Sequence, residues 1–216
     1  DSDKEDDFLF ATERYDRKIL DTSKELMGKK VPLRLHQEDF AQALGITASQ
    51  KYEKNGKDYL ADVFELIKNY SSNPIEDQIR LWDLCIFNYL IGNTDNHVKN
   101  IALLYSEDLK GIRLAPAYDL LSTVIYDSST EKMSLNIDGE YDIRNINQKS
   151  FENEAKKLGL GKGIATQHFL SMVEKFEMAL EQSTYELEEQ GYGVAVDIQK
   201  QILKKAGIHN FKLTNP

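Results

Sequence analysis

One cysteine in 216 residues excludes an intrachain disulfide. Cys85 falls inside the apolar run 79–91, where the reading is a small core residue in a reducing compartment. Positive charge is scarce: 27 Lys and Arg stand against 36 Asp and Glu, giving a formal net charge of −9 and a pI of about 5.0. That balance argues against nucleic acid bound over a broad surface, because phosphate contacts need clustered cations, although it leaves a local basic patch open. No apolar run approaches the ~18 residues of a membrane span. The first seven residues are acidic, the reverse of a signal peptide. The chain has four prolines and no repeat or low-complexity tract, so no linker stands out and one domain is the simplest account. With 29% charged and 41% hydrophobic residues, the composition is that of a globular protein, and the expectation is a cytoplasmic one with no membrane partner.

The apolar pattern is mainly helical. Residues 8–12 (Phe-Leu-Phe-Ala-Thr) read as a buried strand ending at the charged 13–17 segment. His36 to Asp39 open a helical pattern through Phe40, Ala41 and Leu44 that Gly45 stops, and carboxylates at that position suit the helix dipole. Leu60, Val63, Phe64, Ile67 and Tyr70 share one face of a helix over 59–70. Asn73-Pro74-Ile75-Glu76 predicts a capped start for a helix running to Ile91, apolar nearly all round and therefore a buried spine, with Gly92-Asn93 ending it. Two strands, 101–105 and 112–114, form a hairpin. Residues 124–148 read as irregular, and further helices are predicted over 150–158, 164–190 and 194–206. The glycine cluster 159–163 has no strand before it and reads as a helix connection, and the acidic run 181–190 as a solvated face.

Between the spine and the hairpin lies Asp95-Asn96-His97-Val98-Lys99-Asn100, and nineteen residues after Asn100 comes Asp119. An Asp, an Asn five positions on and a second Asp past a hairpin form the polar skeleton of a phosphoryl-transfer site. There the first Asp takes the hydroxyl proton, while the Asn and the second Asp hold magnesium. Magnesium takes hard oxygen ligands and keeps several waters, so one carboxylate and one amide suffice beside nucleotide phosphates. The competing account of the same residues is structural: Asn93, Thr94 and Asp95 turn the chain after the helix, and Asp119 is a second turn former. Lys99 reads equally as a phosphate contact or a solvated amine. Metal ligation by His97 is disfavoured by the lack of a second His or Cys at ligand spacing.

The wider sequence closely resembles the HipA family of bacterial toxin kinases. The resemblance is carried by residues 87–100 and 114–122, by Glu13-Arg14-Tyr15-Asp16-Arg17, by 35–45 and by Lys51-Tyr52-Glu53; it is dense to residue 122 and thin beyond. It implies a protein-kinase-like C-lobe, mainly α with a small β-hairpin at the site. Residues 1–12 would be the last strand of an N-lobe otherwise absent, 13–17 the hinge, and 18–216 the helical lobe. Asp95 would be the catalytic aspartate, and Asn100 and Asp119 the magnesium ligands. Glu13 and Tyr15 would receive the adenine of ATP, with His97 near the nucleotide and Glu38 and Asp39 supporting the site from behind the residues that touch it. The implied partners are a protein substrate, typically an aminoacyl-tRNA synthetase, a DNA-binding antitoxin, and the N-lobe in cis or in trans.

A kinase also needs a glycine-rich loop over the phosphates and a strand lysine. The resemblance places both before the hinge, and Lys4 lies too close to it to serve, so feeble activity at most is expected of this chain alone. Two rivals stay open: a lipid-kinase-like phosphotransferase, since Asp-x-His-x-x-Asn occurs there too, and a non-catalytic pseudokinase module.

Overall fold

The structure, a computed structural model, describes residues 11–53 and 56–214, with side chains as far as Phe211. The strand expected over 8–12 lies outside the described residues except for Ala11 and Thr12, which are irregular.

The chain enters as an exposed ribbon of four two-residue strands. β1 (Arg17–Lys18) pairs antiparallel with β4 (Leu33–Arg34), and β2 (Glu25–Leu26) with β3 (Lys29–Lys30). Next, β5 (Gln37–Asp39) leads directly into the short helix α1 (Phe40–Ala43). Here the expectation of a helix opening at His36 is corrected. Residues 37–39 pair as a strand because the edge of β6 (Ala102–Tyr105) is open to them, and the helix begins only after Asp39. Asp39 caps it by accepting the Gln42 amide at 2.9 Å while Gln42 accepts the Asp39 amide at 3.0 Å, a reciprocal capping box. The expected two-stranded hairpin is thus a three-stranded antiparallel sheet, β5–β6–β7, with β7 at Ile112–Leu114.

α2 (Tyr59–Tyr70) buries Leu60, Val63, Phe64 and Ile67 of the expected face but leaves Tyr70 at its end exposed, and Asp58 caps it through the Ala61 amide at 3.0 Å. α3 (Pro74–Ile91) is the spine: Leu81, Ile86, Tyr89 and Leu90 are wholly buried. Asn73 does not cap it with its side chain as expected. That amide turns to Glu76, while the Asn73 backbone N–H goes to the Ser71 hydroxyl. At its far end Gly92 adopts a left-handed φ of 72°, and a Cβ there would stand 2.2 Å from Val124 Cγ2. Only glycine fits this close turn.

Asp77, buried in the first turns of α3, fastens the sheet to the spine. It accepts both Arg113 nitrogens at 3.0 Å and the Leu114 amide at 2.9 Å. Those donors hold its carboxyl below the usual range although burial acts the other way.

Residues 124–148 are not irregular throughout. β8 (Lys132–Ile137) and β9 (Glu140–Asp142) form a hairpin around Asp138-Gly139, both at positive φ, the pairing that a two-residue hairpin turn favours. The remaining helices are α4 (Gln148–Lys157), α5 (Lys162–Glu189), α6 (Val194–Lys205) and α7 (Gly207–Thr214). The 159–161 glycines join α4 to α5 as expected. α7 lies beyond the last helix that the pattern predicts; a Cβ on Gly207 would lie 2.5 Å from the Tyr89 carbonyl oxygen, so the glycine is there for close packing. Phe151 joins the layers, its ring 5.5 Å from Trp82, 5.2 Å from Tyr89 and 4.8 Å from Phe169. Cys85 is buried as expected, and desolvation pushes its thiol up to about 12.

Candidate functional site

The 93–100 loop begins where Gly92 reverses the spine. Its backbone is irregular, yet Asn93, Thr94, Asn96, His97 and Asn100 are all buried, so each polar group needs a partner inside the fold. The structure supplies most of them, His97 Nδ1 excepted. Asn88 on α3 donates to the Leu84 carbonyl and accepts from Asn93 Nδ2 at 2.8 Å. The same Nδ2 donates to the Asp119 carbonyl at 3.0 Å. The Thr123 hydroxyl accepts the Thr94 amide at 2.8 Å and donates to the Gly92 carbonyl. The Thr94 carbonyl in turn accepts both the amide and the hydroxyl of Ser134, at 3.0 and 2.7 Å. Val98, wholly buried, is the loop's apolar anchor.

Asn100 and Asp119, far apart in sequence, meet here: Asn100 Nδ2 donates to Asp119 Oδ2 at 2.7 Å and to the Asp95 carbonyl at 3.2 Å. Asp119 holds a left-handed φ of 56°, a strained setting for a non-glycine residue and one common at functional sites. Its carboxylate is aimed by that backbone, and its backbone is held by Asn93. Turning the Asn100 amide to present its oxygen would give the pair two hard donors on one side. Among the described residues no three His, Cys, Asp or Glu side chains converge.

Asp95 is the exposed member of the loop, and the Tyr52 hydroxyl donates to its Oδ1 at 2.9 Å. His97 lies beneath, 5% exposed. Its Nε2 sits 2.8 Å from Lys51 Nζ, and its buried Nδ1 has no hydrogen-bond partner. Since an ammonium only donates, Nε2 accepts and the proton of the neutral ring is on Nδ1. Burial first, then the Lys51 charge, keeps the imidazole below its ordinary value, while Asp95 and Asp119 pull the other way.

Lys51 and Tyr52 were noted in the sequence only as part of a matching tripeptide. Glu53, the third member, explains how they reach the loop. Its carboxylate accepts the Asn136 amide at 2.8 Å, the Asn136 side chain at 2.5 Å and the Tyr59 amide, tying the segment to β8 and α2. Burial raises the Glu53 carboxyl, and these donors oppose the shift. Sequence spacing carries no signal for this contact, because Lys51 and His97 are 46 positions apart.

The two expected hinge residues line a separate part of the site. Glu13 and Tyr15, with Gln37, Tyr118, Asp119 and Leu121, border a cleft of about 720 Å³. Tyr15 and Tyr118 rings stand 6.4 Å apart, and the Tyr118 hydroxyl donates to the Lys99 carbonyl at 2.7 Å. Lys99 therefore enters the network through its backbone, with no side-chain partner among the described residues. The cleft reaches Asp119, whose carboxylate meets Asn100 and so joins it to the 95–100 loop. Of the second pair of carboxylates, Asp39 is a cap and Glu38 accepts from the Tyr105 hydroxyl at 2.8 Å. A groove of about 440 Å³ between α3 and α5, with His168 bonded to Asp83 at 2.7 Å, shares no residue with this region.

The fold sets the class. It is that of a chain in the solved complex of the Shewanella oneidensis toxin–antitoxin system HipA, HipB and its operator DNA, with a TM-score of 0.75 and 23% identity, covering 93% of this chain and 48% of that one. Residues 2–182 match the model of the HipA-like C-terminal domain, and the chain belongs to that family. Among curated relatives, the protein named "Putative kinase Y4mE" of Sinorhizobium fredii is 36% identical over 166 residues, 77% of this chain and 37% of its own length. The serine/threonine-protein kinase toxin HipA of Shewanella oneidensis is 28% identical over 181 residues, 79% of this chain and 40% of its own. The chain thus spans about two fifths of the length of these relatives.

Proposed function

We propose that this chain is the catalytic, metal-holding lobe of a HipA-like serine/threonine protein kinase. The observation that carries the reading is the meeting of Asn100 with Asp119 at 2.7 Å beside the exposed carboxylate of Asp95. In this reading Asn100 and Asp119 hold magnesium, which when bound neutralises nucleotide phosphate charge. Asp95 orients a serine or threonine hydroxyl and takes its proton, and Tyr52 fixes which carboxylate oxygen faces the acceptor. His97 shapes the loop beneath the nucleotide, and Lys99 borders it. Glu13 and Tyr15 take the adenine at the mouth of the cleft. Because the transition state is loose, placement and charge matter more than basicity.

The whole activity belongs, in this proposal, to a longer polypeptide whose N-lobe supplies the glycine-rich loop and lysine in cis or in trans. The role of toxin is supported by the name of the Shewanella relative and an antitoxin partner by the solved HipA–HipB complex, and the proposal adds a protein substrate and a cytoplasmic setting. Calorimetry with Mg-ATP on this chain, alone and joined to a glycine-rich lobe, tests the reading. Binding that appears or tightens with the lobe, with phosphoryl transfer lost in Asp95→Asn, is expected. No binding in either form would leave a non-catalytic module.

A further inference from the structure

Lys51 is a cation without an anion. Its ammonium lies 2.8 Å from His97 Nε2 and 4.7 Å from the centre of the Tyr52 ring, whose edge-on partner at 5.4 Å is His97 itself. Among the described residues no carboxylate pairs with it, although Asp95 shares the same Tyr52–His97 frame: Tyr52 donates to Asp95, and both Asp95 and Asp119 act electrostatically on the His97 ring. An imidazole nitrogen and an aromatic face orient an ammonium without neutralising it. One N–H is spent on His97, and two remain for another acceptor. The frame is anchored on β8 by the Glu53 bonds to Asn136, so the lysine is delivered to this point by the 51–53 segment and not by the loop's own chain.

We propose that Lys51 is a catalytic residue that contacts the transferring phosphoryl group, supplying positive charge from outside the 95–100 loop. The assignment rests on the kinase reading above. In the transfer, the bond from the γ-phosphorus to the β–γ bridging oxygen breaks and leaves its electron pair on the departing diphosphate. The acceptor oxygen bonds to phosphorus, and its proton passes to the Asp95 carboxylate. Charge spreads over the three non-bridging oxygens, and an ammonium held in place against them stabilises that state more than the ground state.

The test uses the nucleotide-binding form, with the glycine-rich lobe present, and the variants Lys51→Met, Lys51→Arg and Asp95→Asn. Lys51→Met is expected to lower kcat by about 10²–10³-fold, the usual loss on removing one group that stabilises developing charge. It is also expected to weaken binding of Mg-ADP with aluminium fluoride, a mimic of the group in flight, while leaving Mg-ADP binding within about twofold. Lys51→Arg restores part of both. Lys51 is half-buried and the variants are expected to stay folded, which circular dichroism checks. A Lys51→Met protein with unchanged kcat, or with Mg-ADP binding lost in parallel, overturns the assignment provided that Asp95→Asn abolishes transfer. Transfer that survives Asp95→Asn overturns the kinase reading instead.

Discussion

Residues 93–100 and the ribbon over 17–34 are both non-helical and polar, yet they are built in opposite ways. In the ribbon nearly every residue is exposed, four strands of two residues each make only local pairs, and Met27 is 97% exposed. Water satisfies what the ladders do not, so sequence there is loosely constrained. In the loop five polar residues are buried, and each backbone reversal is held by a named side chain: Asn93, Thr123, Ser134. A buried irregular backbone survives only when its polar groups are paired within the protein, because each orphan costs about 1–3 kcal/mol. The loop is therefore the expensive segment, and the one with fixed chemistry.

The contrast can be broken at its strongest point first. Gly92→Ala places a Cβ 2.2 Å from Val124 at a positive φ, combining backbone strain with overpacking; about 3 kcal/mol of unfolding free energy should be lost in urea titration. Asn93→Ala strips a donor from both the Asn88 side chain and the Asp119 carbonyl, and about 2 kcal/mol is expected, with the Asp119 backbone released.

Effects at the ribbon should be smaller. Asp16, buried at its root, is held at about 2 by Arg14, against an ordinary 3.8, with Arg17 assisting and burial opposing. A depressed carboxyl stabilises the fold above its ordinary value, and that contribution is lost as pH falls from about 4 through about 2. Arg14 is largely exposed, so the contribution is on the order of 1 kcal/mol after solvent screening. Asp16→Asn should flatten the stability profile in that window. Least of all, Met27→Asn at the ribbon tip, where φ is 51°, should change stability by less than about 0.5 kcal/mol, or raise it slightly, since Asn tolerates the left-handed region.

The spine helix and its glycine exit were legible in the sequence because continuous apolarity, a proline start and a C-terminal glycine all act locally. The Asp95, Asn100 and Asp119 spacing was legible as chemistry, but their meeting depends on β6 and β7 folding back. Two misses have different causes. The β8–β9 hairpin carries a local signal, Met133, Leu135 and Ile137 alternating with polar residues before the Asp138-Gly139 turn, which the polar composition of 124–148 as a whole conceals. What the alternation does not reveal is that its polar members Ser134 and Asn136 are buried too, holding the loop and Glu53. The Lys51–His97 contact carried no local signal at all, since it is set by tertiary packing of the 51–53 segment.

The central claim is that Asp95, Asn100 and Asp119 form a phosphoryl-transfer site completed by a glycine-rich lobe. Phosphoryl transfer from Mg-ATP to a serine or threonine acceptor, measured for the lobe-bearing protein and its Asp95→Asn form, tests it most directly. The account predicts transfer in the first and a loss of at least about 10³-fold in the second, with the fold intact. Equal transfer by both, or none by the parent under conditions where it binds Mg-ATP, would contradict it.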